Sequence, residues 1–213
     1  MMTSELFPVS DMVWEPPCHV TYTDNRAYVV DKNGEVWIEI SHKGRNVEFK
    51  LFPNRIPSNY IGERLSGNEE LVYSIVCRSE ADAAKCQNFL ADLINTGYGD
   101  QLTSNKKSWL IGLDLQDIVT EVFSSNTMFY HGFLLDSINN PETISNFCRE
   151  NHLERAKTFF ICVYQASSTA DGAEYEALTG TFCEELNDEC SFWQQWTMDD
   201  TLKNEIIVHV LYS

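Results

Sequence analysis

Residues 35–52 read EVWIEISHKGRNVEFKLF, two runs of alternating apolar and polar side chains about a His42-Lys43-Gly44-Arg45 turn. In the first run Val36, Ile38 and Ile40 point one way, Trp37 and Glu39 the other. In the second, Val47, Phe49 and Leu51 alternate with Glu48 and Lys50. A period of two belongs to strands with one covered and one wet face, and glycine in the turn takes positive φ without steric cost. Toward the N-terminus, Cys18–Thr23 and Ala27–Val30 are further runs of β-branched and aromatic residues, with Asp31-Lys32-Asn33-Gly34 as the turn before Glu35. Residues 18–52 therefore read as an antiparallel β-meander.

Toward the C-terminus the period changes. Pro53 and Pro57 stop strand pairing, and the segment to Asn68 reads as a loop. Leu71–Cys77 is a strand. Ser79 and Asp82 then approximate a capping box, and Ala81, Ala84, Phe89, Leu90, Leu93 and Ile94 recur at helical spacing until Gly97. Further on, the pattern predicts strands at Trp109–Leu113, Met128–Leu135, Lys157–Tyr164 and Glu205–Tyr212. It places helices at Asp114–Ser124, Pro141–Glu150 and Asp171–Leu186, and an acidic loop around Phe192–Trp196. Strands alternating with helical stretches build crossover units and a partly parallel sheet. The expected fold is α+β, an N-terminal antiparallel β-meander packed with a C-terminal α/β part having a mixed sheet. A meander of this size is rarely stable alone, so one domain over residues 1–213 is expected, subdivided at most into 1–66 and 67–213.

The chain has 213 residues, of which 43% are hydrophobic and 12% aromatic, enough for a substantial core. Its 15 Lys and Arg against 32 Asp and Glu leave a formal charge of −17. Such a surface repels phosphate backbones and anionic lipid, so neither nucleic acid nor membrane is an expected partner. Nothing approaches the roughly 20 apolar residues that span a bilayer, and the start Met1-Met2-Thr3-Ser4-Glu5 lacks the basic and apolar regions of a signal peptide. The seven cysteines, Cys18, Cys77, Cys86, Cys148, Cys162, Cys183 and Cys190, show no C-x-x-C spacing. Several lie in apolar runs where a thiol packs as a small hydrophobe, which fits a reducing, cytoplasmic setting.

Catalytic signatures are sparse. Gly97-Tyr98-Gly99 lacks the third glycine of a dinucleotide loop and the Gly-Lys-Ser/Thr of a P-loop, and G-x-S-x-G is absent. Cys148 and His152 stand at i and i+4, but zinc needs three or four ligands, and the others would come from distant Cys18, His19, Cys183 or Cys190. A buried Cys148 with His152 at a helix end explains the pair without a metal. His131, before Gly132 on an expected strand, is the histidine best placed to meet a ligand, although a wet-face strand histidine looks the same in sequence. No metal, cofactor or catalytic residue is assigned.

One feature stands apart. Residues 158–213 hold ten acids and a single base, Lys203, and aromatics are interleaved with the acids. Tryptophan and tyrosine among charges characterise interface hot spots, and a dense carboxylate surface steers basic partners. Phe192, Trp193, Trp196 and Tyr175, with Glu184, Glu185, Asp188 and Glu189, form the candidate partner-binding set. The competing assignment makes the aromatics core and the acids the wet face of a helix and loop. The expected function is a non-enzymatic acidic binding or regulatory protein engaging a basic protein surface, of a kind that also occurs among virus- and phage-encoded accessory proteins. An enzyme with a Cys/His pocket and a structural assembly subunit are the alternatives.

Overall fold

A computed structural model describes residues 18–23, 25–61, 65, 67–98, 107–111, 117–123, 125–135 and 141–213. The meander forms as its alternation dictates. β1 (Cys18–Thr23), β2 (Arg26–Asp31), β3 (Val36–Lys43) and β4 (Asn46–Leu51) pair antiparallel in sequence order. Gly34 and Gly44 sit in its turns at φ 83° and 58°, where a Cβ would strain the backbone. The Asp31 carboxylate braces the first turn by accepting from the N–H groups of Asn33 and Glu35 at 2.8 and 2.7 Å.

β4 pairs antiparallel with β5 (Leu71–Val76), so the sheet runs unbroken across the segment that separates the two patterns. Next come helix α1 (Glu80–Tyr98), β6 (Lys107–Ile111), a π-helical turn at Ile118–Val122, and β7 (Thr127–Leu135). Helix α2 (Pro141–Glu150), β8 (Thr158–Gln165), helix α3 (Gly172–Glu185), β9 (Ser191–Asp199) and β10 (Ile206–Tyr212) complete the order. The ten described strands join one sheet in the order β1-β2-β3-β4-β5-β7-β10-β8-β9-β6. β5 is parallel to β7 and β8 to β9, while β10 lies antiparallel between β7 and β8. The fold is α+β with a mixed sheet.

Two apolar layers hold the sheet, one on each face. Under α1, Phe89, Leu90, Leu93 and Ile94 meet Val29, Ile38, Ile40 and Phe49 of the meander. The same layer receives Met128, Tyr130, Phe160 and Leu211 from the second half. On the opposite face Ile144 and Phe147 of α2 and Tyr175, Leu178 and Phe182 of α3 cover Phe159, Ile161, Val163, Val208 and Val210. β8 is buried along its whole length, as a central strand covered on both faces must be.

Capping agrees with the sequence. Asp82 N–H donates to Ser79 Oγ at 3.1 Å, and the Ser79 hydroxyl donates back to Asp82 Oδ2 at 2.8 Å. Asp171 caps α3 by accepting from the N–H groups of Ala173 and Glu174 at 2.8 and 3.3 Å. Several expectations change. The segment expected as a loop after Pro53 carries a 3-10 turn at Pro53–Arg55 and a short helix at Ser58–Ile61. The segment Phe192–Trp196 is not a loop but the first part of β9, because Phe, Trp and Thr favour a pleated, half-buried surface and β8 offers a parallel partner throughout. Of the expected helix Asp114–Ser124, the described part closes as the π-helical turn, and 114–116 and 124 lie outside the described residues. Gly99 also lies outside them. Among the described residues no helix is long and apolar enough to cross a membrane.

Candidate functional site

β7, β8 and β9 run in one direction, and their C-terminal ends meet α1 along a cleft of about 390 Å³. Open α/β sheets tend to take ligands at such strand ends. α1 supplies one wall through Lys85, Phe89 and Asp92, positions i, i+4 and i+7 of a single stripe. The floor is the register row Leu134–Ile207–Tyr164, one residue from each of β7, β10 and β8. Asp199, at the end of β9, closes one side.

Deeper in, Gly132 of β7 lies directly across from His209 of β10. A Cβ on Gly132 would stand 2.8 Å from the Tyr130 hydroxyl, so the missing side chain is the space that the hydroxyl occupies. From there it reaches His209 Nδ1 at 2.7 Å. Burial, with Cys86, Cys77 and Asp82 nearby, pushes the Tyr130 phenol well above its usual pKa. The bond ties the phenol to the imidazole across the two strands. Phe89 stacks on the same ring at 4.3 Å and 11°, which immobilises it.

At the other end Asp199 Oδ1 accepts from Thr201 N–H at 3.0 Å and from its hydroxyl. The Tyr164 phenol is held well above its ordinary pKa by burial first, then by Cys162, Asp92 and Asp199. The fields of both carboxylates therefore reach the cleft floor.

The residues singled out from sequence are distributed elsewhere. His131 is on the opposite face of β7, stacked on Phe147 at 4.7 Å and edge-on to Phe133 at 4.4 Å. Burial and the neighbouring Arg78 push its pKa down to about 4. No cysteine lines the cleft, and burial drives the Cys18 and Cys148 thiols up to about 12. His152 lies beyond α2 in the left-handed region at φ 55°, so it does not continue the helical face that carries Cys148. No group of three or more metal-ligating side chains occurs among the described residues.

The acidic aromatic set divides by strand parity. Tyr175 and Trp196 are buried and stack on each other at 4.5 Å and 5° between α3 and the sheet. Phe192 shares that face but is only half-buried, stacked on Phe159 at 5.9 Å. Trp193, the next residue, packs into the layer under α1. Glu184, Asp188 and Glu189 are exposed and Glu185 is partly so. The turn holding Asp188 and Glu189 is fixed by Asn187, whose Nδ2 donates to the carbonyls of Glu154 and Ala156 at 3.0 and 2.9 Å. Arg155 and Lys157 share a shallow depression with it. Phe192, Glu184, Asp188 and Glu189 thus lie on the α3 side, while Trp193 does not. His209 and Tyr130 escape sequence reading because their pairing depends on the β7–β10 register across 79 residues.

No protein-family model matches the chain, and no curated protein matches it. Among solved structures, it is similar to an empty FtsZ dimer of M. jannaschii, with a TM-score of 0.43 and 15% identity over 62% of this chain and 39% of that one. It is similar too to TubZ of Bacillus thuringiensis serovar israelensis in GDP-form protofilaments, with a TM-score of 0.41 and 12% identity over 63% of this chain and 35% of that one. The chain thus matches well under half the length of either structure, and no functional reading is drawn from likenesses of this size.

Proposed function

We propose that this is a non-enzymatic binding or regulatory protein of the cytoplasm that engages a basic protein surface with the acidic α3 face of its C-terminal quarter. The observation that carries the reading is the pairing of charge with anchorage. From Thr158 to Leu202 there is no Lys or Arg. Tyr175, Leu178 and Phe182 fasten α3 to the sheet and leave Glu176 and Glu184 exposed. A rigid element presenting one sign of charge steers an opposite partner without paying an ordering cost at contact. Phe192, half-buried beside the acidic turn and stacked on Phe159, is the short-range anchor. The Cys/His enzyme alternative loses ground because the cleft has a histidine but no thiol.

Zero-length carbodiimide cross-linking in native extracts, which joins carboxylates to amines, tests the proposal. The cross-linked peptides are expected to connect lysines of one partner with Glu184, Asp188 or Glu189, and the product should vanish in the E184Q/D188N/E189Q variant. Cross-links scattered over the meander carboxylates instead would refute it.

A further inference from the structure

We propose that the outer edge of β1 (Cys18–Thr23) pairs antiparallel with the same strand of a second copy of this chain, joining two sheets into one across a two-fold axis. This edge is remote from the strands that α3 covers, so the pairing does not depend on the acidic face being a partner surface. Three observations support it.

First, β1 is an edge strand without the devices that blunt one. Among the described residues it pairs with β2 alone. Such an edge templates a further strand unless charge, proline or a bulge prevents it. β1 reads Cys-His-Val-Thr-Tyr-Thr, with no Asp, Glu, Lys, Arg or Pro, and its register runs through all six residues without a shift. β6, at the other edge, begins with Lys107, and its pairing with β9 is interrupted between Trp109 and Ile111.

Second, the charge distribution selects a second copy as the occupant. Two molecules of charge −17 repel each other over most of their surface. The meander, residues 18–52, instead holds five Asp and Glu against five Lys and Arg, so two copies meet there without net repulsion. A strongly basic partner gains more at the acidic C-terminal quarter, and an acidic one finds no excess of bases at the meander.

Third, the side chains of β1 match across a two-fold axis. Cys18 and Val20 pack into the layer under α1, while Tyr22, on the same face, is 54% exposed. Directly opposed residues of an antiparallel pair share a face, so only even registers keep α1 of both copies on one side of the joined sheet. The two such registers with the greatest overlap set Tyr22 opposite Cys18 or Val20 of the second copy, and Thr21 opposite its His19 or Thr21. Either one covers the exposed ring, and aromatic with β-branched neighbours is a favourable cross-strand pair.

Sedimentation velocity of the full chain over a concentration series, with hydrogen exchange read at both ends of the series, tests the pairing. A six-residue edge is about 20 Å long. That is a small contact, so a reversible dimer is expected with a Kd of about 10–100 µM. Added salt should strengthen it by screening the repulsion between the two acidic bodies. Amides of Cys18–Thr23 should gain protection as the dimer forms. Thr21→Glu, at an exposed position, charges the edge and should raise the Kd about tenfold or more, with a melting curve showing that the variant folds. A chain that stays monomeric up to about 1 mM, a folded T21E variant that dimerises as the parent does, or a dimer without added protection in Cys18–Thr23 would overturn the proposal.

Discussion

Gly132 is the residue at which the cleft is most sensitive to a small change, since any side chain there competes with the Tyr130 hydroxyl for one space. Gly132→Ala is expected to break the Tyr130–His209 bond and, as overpacking of a filled interior, to cost about 1–3 kcal/mol in chemical denaturation. The tryptophans of β9 give a sharper contrast. Trp196 is 7% exposed and stacked on Tyr175, so Trp196→Ala should lose about 3–5 kcal/mol. Trp193→Ala, at a partly buried position, should lose less, and melting temperatures of the pair measure the difference. For His131 the sign follows from its pKa of about 4, below the roughly 6.5 of an unfolded histidine. Between these values the unfolded chain binds the extra proton, so stability falls as pH drops through that window and the contribution is fully present above it. His131→Asn should reduce the loss of stability between pH 6.5 and 4, read from urea midpoints at each pH.

At the scale of elements, the local code was legible where it was periodic. The meander alternation, the capping box at Ser79 and the proline at the start of α2 each name their structure, because backbone sterics and capping act within a few residues. β9 is not legible in the sequence, for an equally physical reason. Its two faces carry Phe192, Gln194, Trp196 and Met198 against Trp193, Gln195, Thr197 and Asp199, so neither face is plainly apolar, and the flanking acids suggested solvent. The structure buries Gln195 and Thr197 completely, a long-range outcome that depends on β8 lying alongside. The acids themselves are largely where the competing assignment put them, on the wet side of α3 and its turn. Removing the cap of α3 by Asp171→Ala should cost about 1 kcal/mol, measured by thermal or urea unfolding, since two N–H groups lose their acceptor.

At the scale of the molecule, the decisive step is the pairing of β4 with β5 and of β5 with β7, which makes one sheet from two sequence patterns. Neither could be inferred from either pattern alone, because strand order is set by which edges meet after the helices have covered the faces. Limited proteolysis between Pro53 and Asn68 should therefore yield fragments that remain associated in gel filtration. Separate, folded halves would show that the two patterns are independent units. The same scale governs function, since charge of one sign acts over the distances at which partners first meet. The most direct test of the binding role is the association rate of the cross-linked partner as a function of ionic strength, for the parent and for E184Q/D188N/E189Q. The account predicts a rate that falls steeply with salt in the parent, and a slower, flatter dependence in the variant with its melting temperature unchanged. Superimposable rates for the two proteins across the salt range would contradict it.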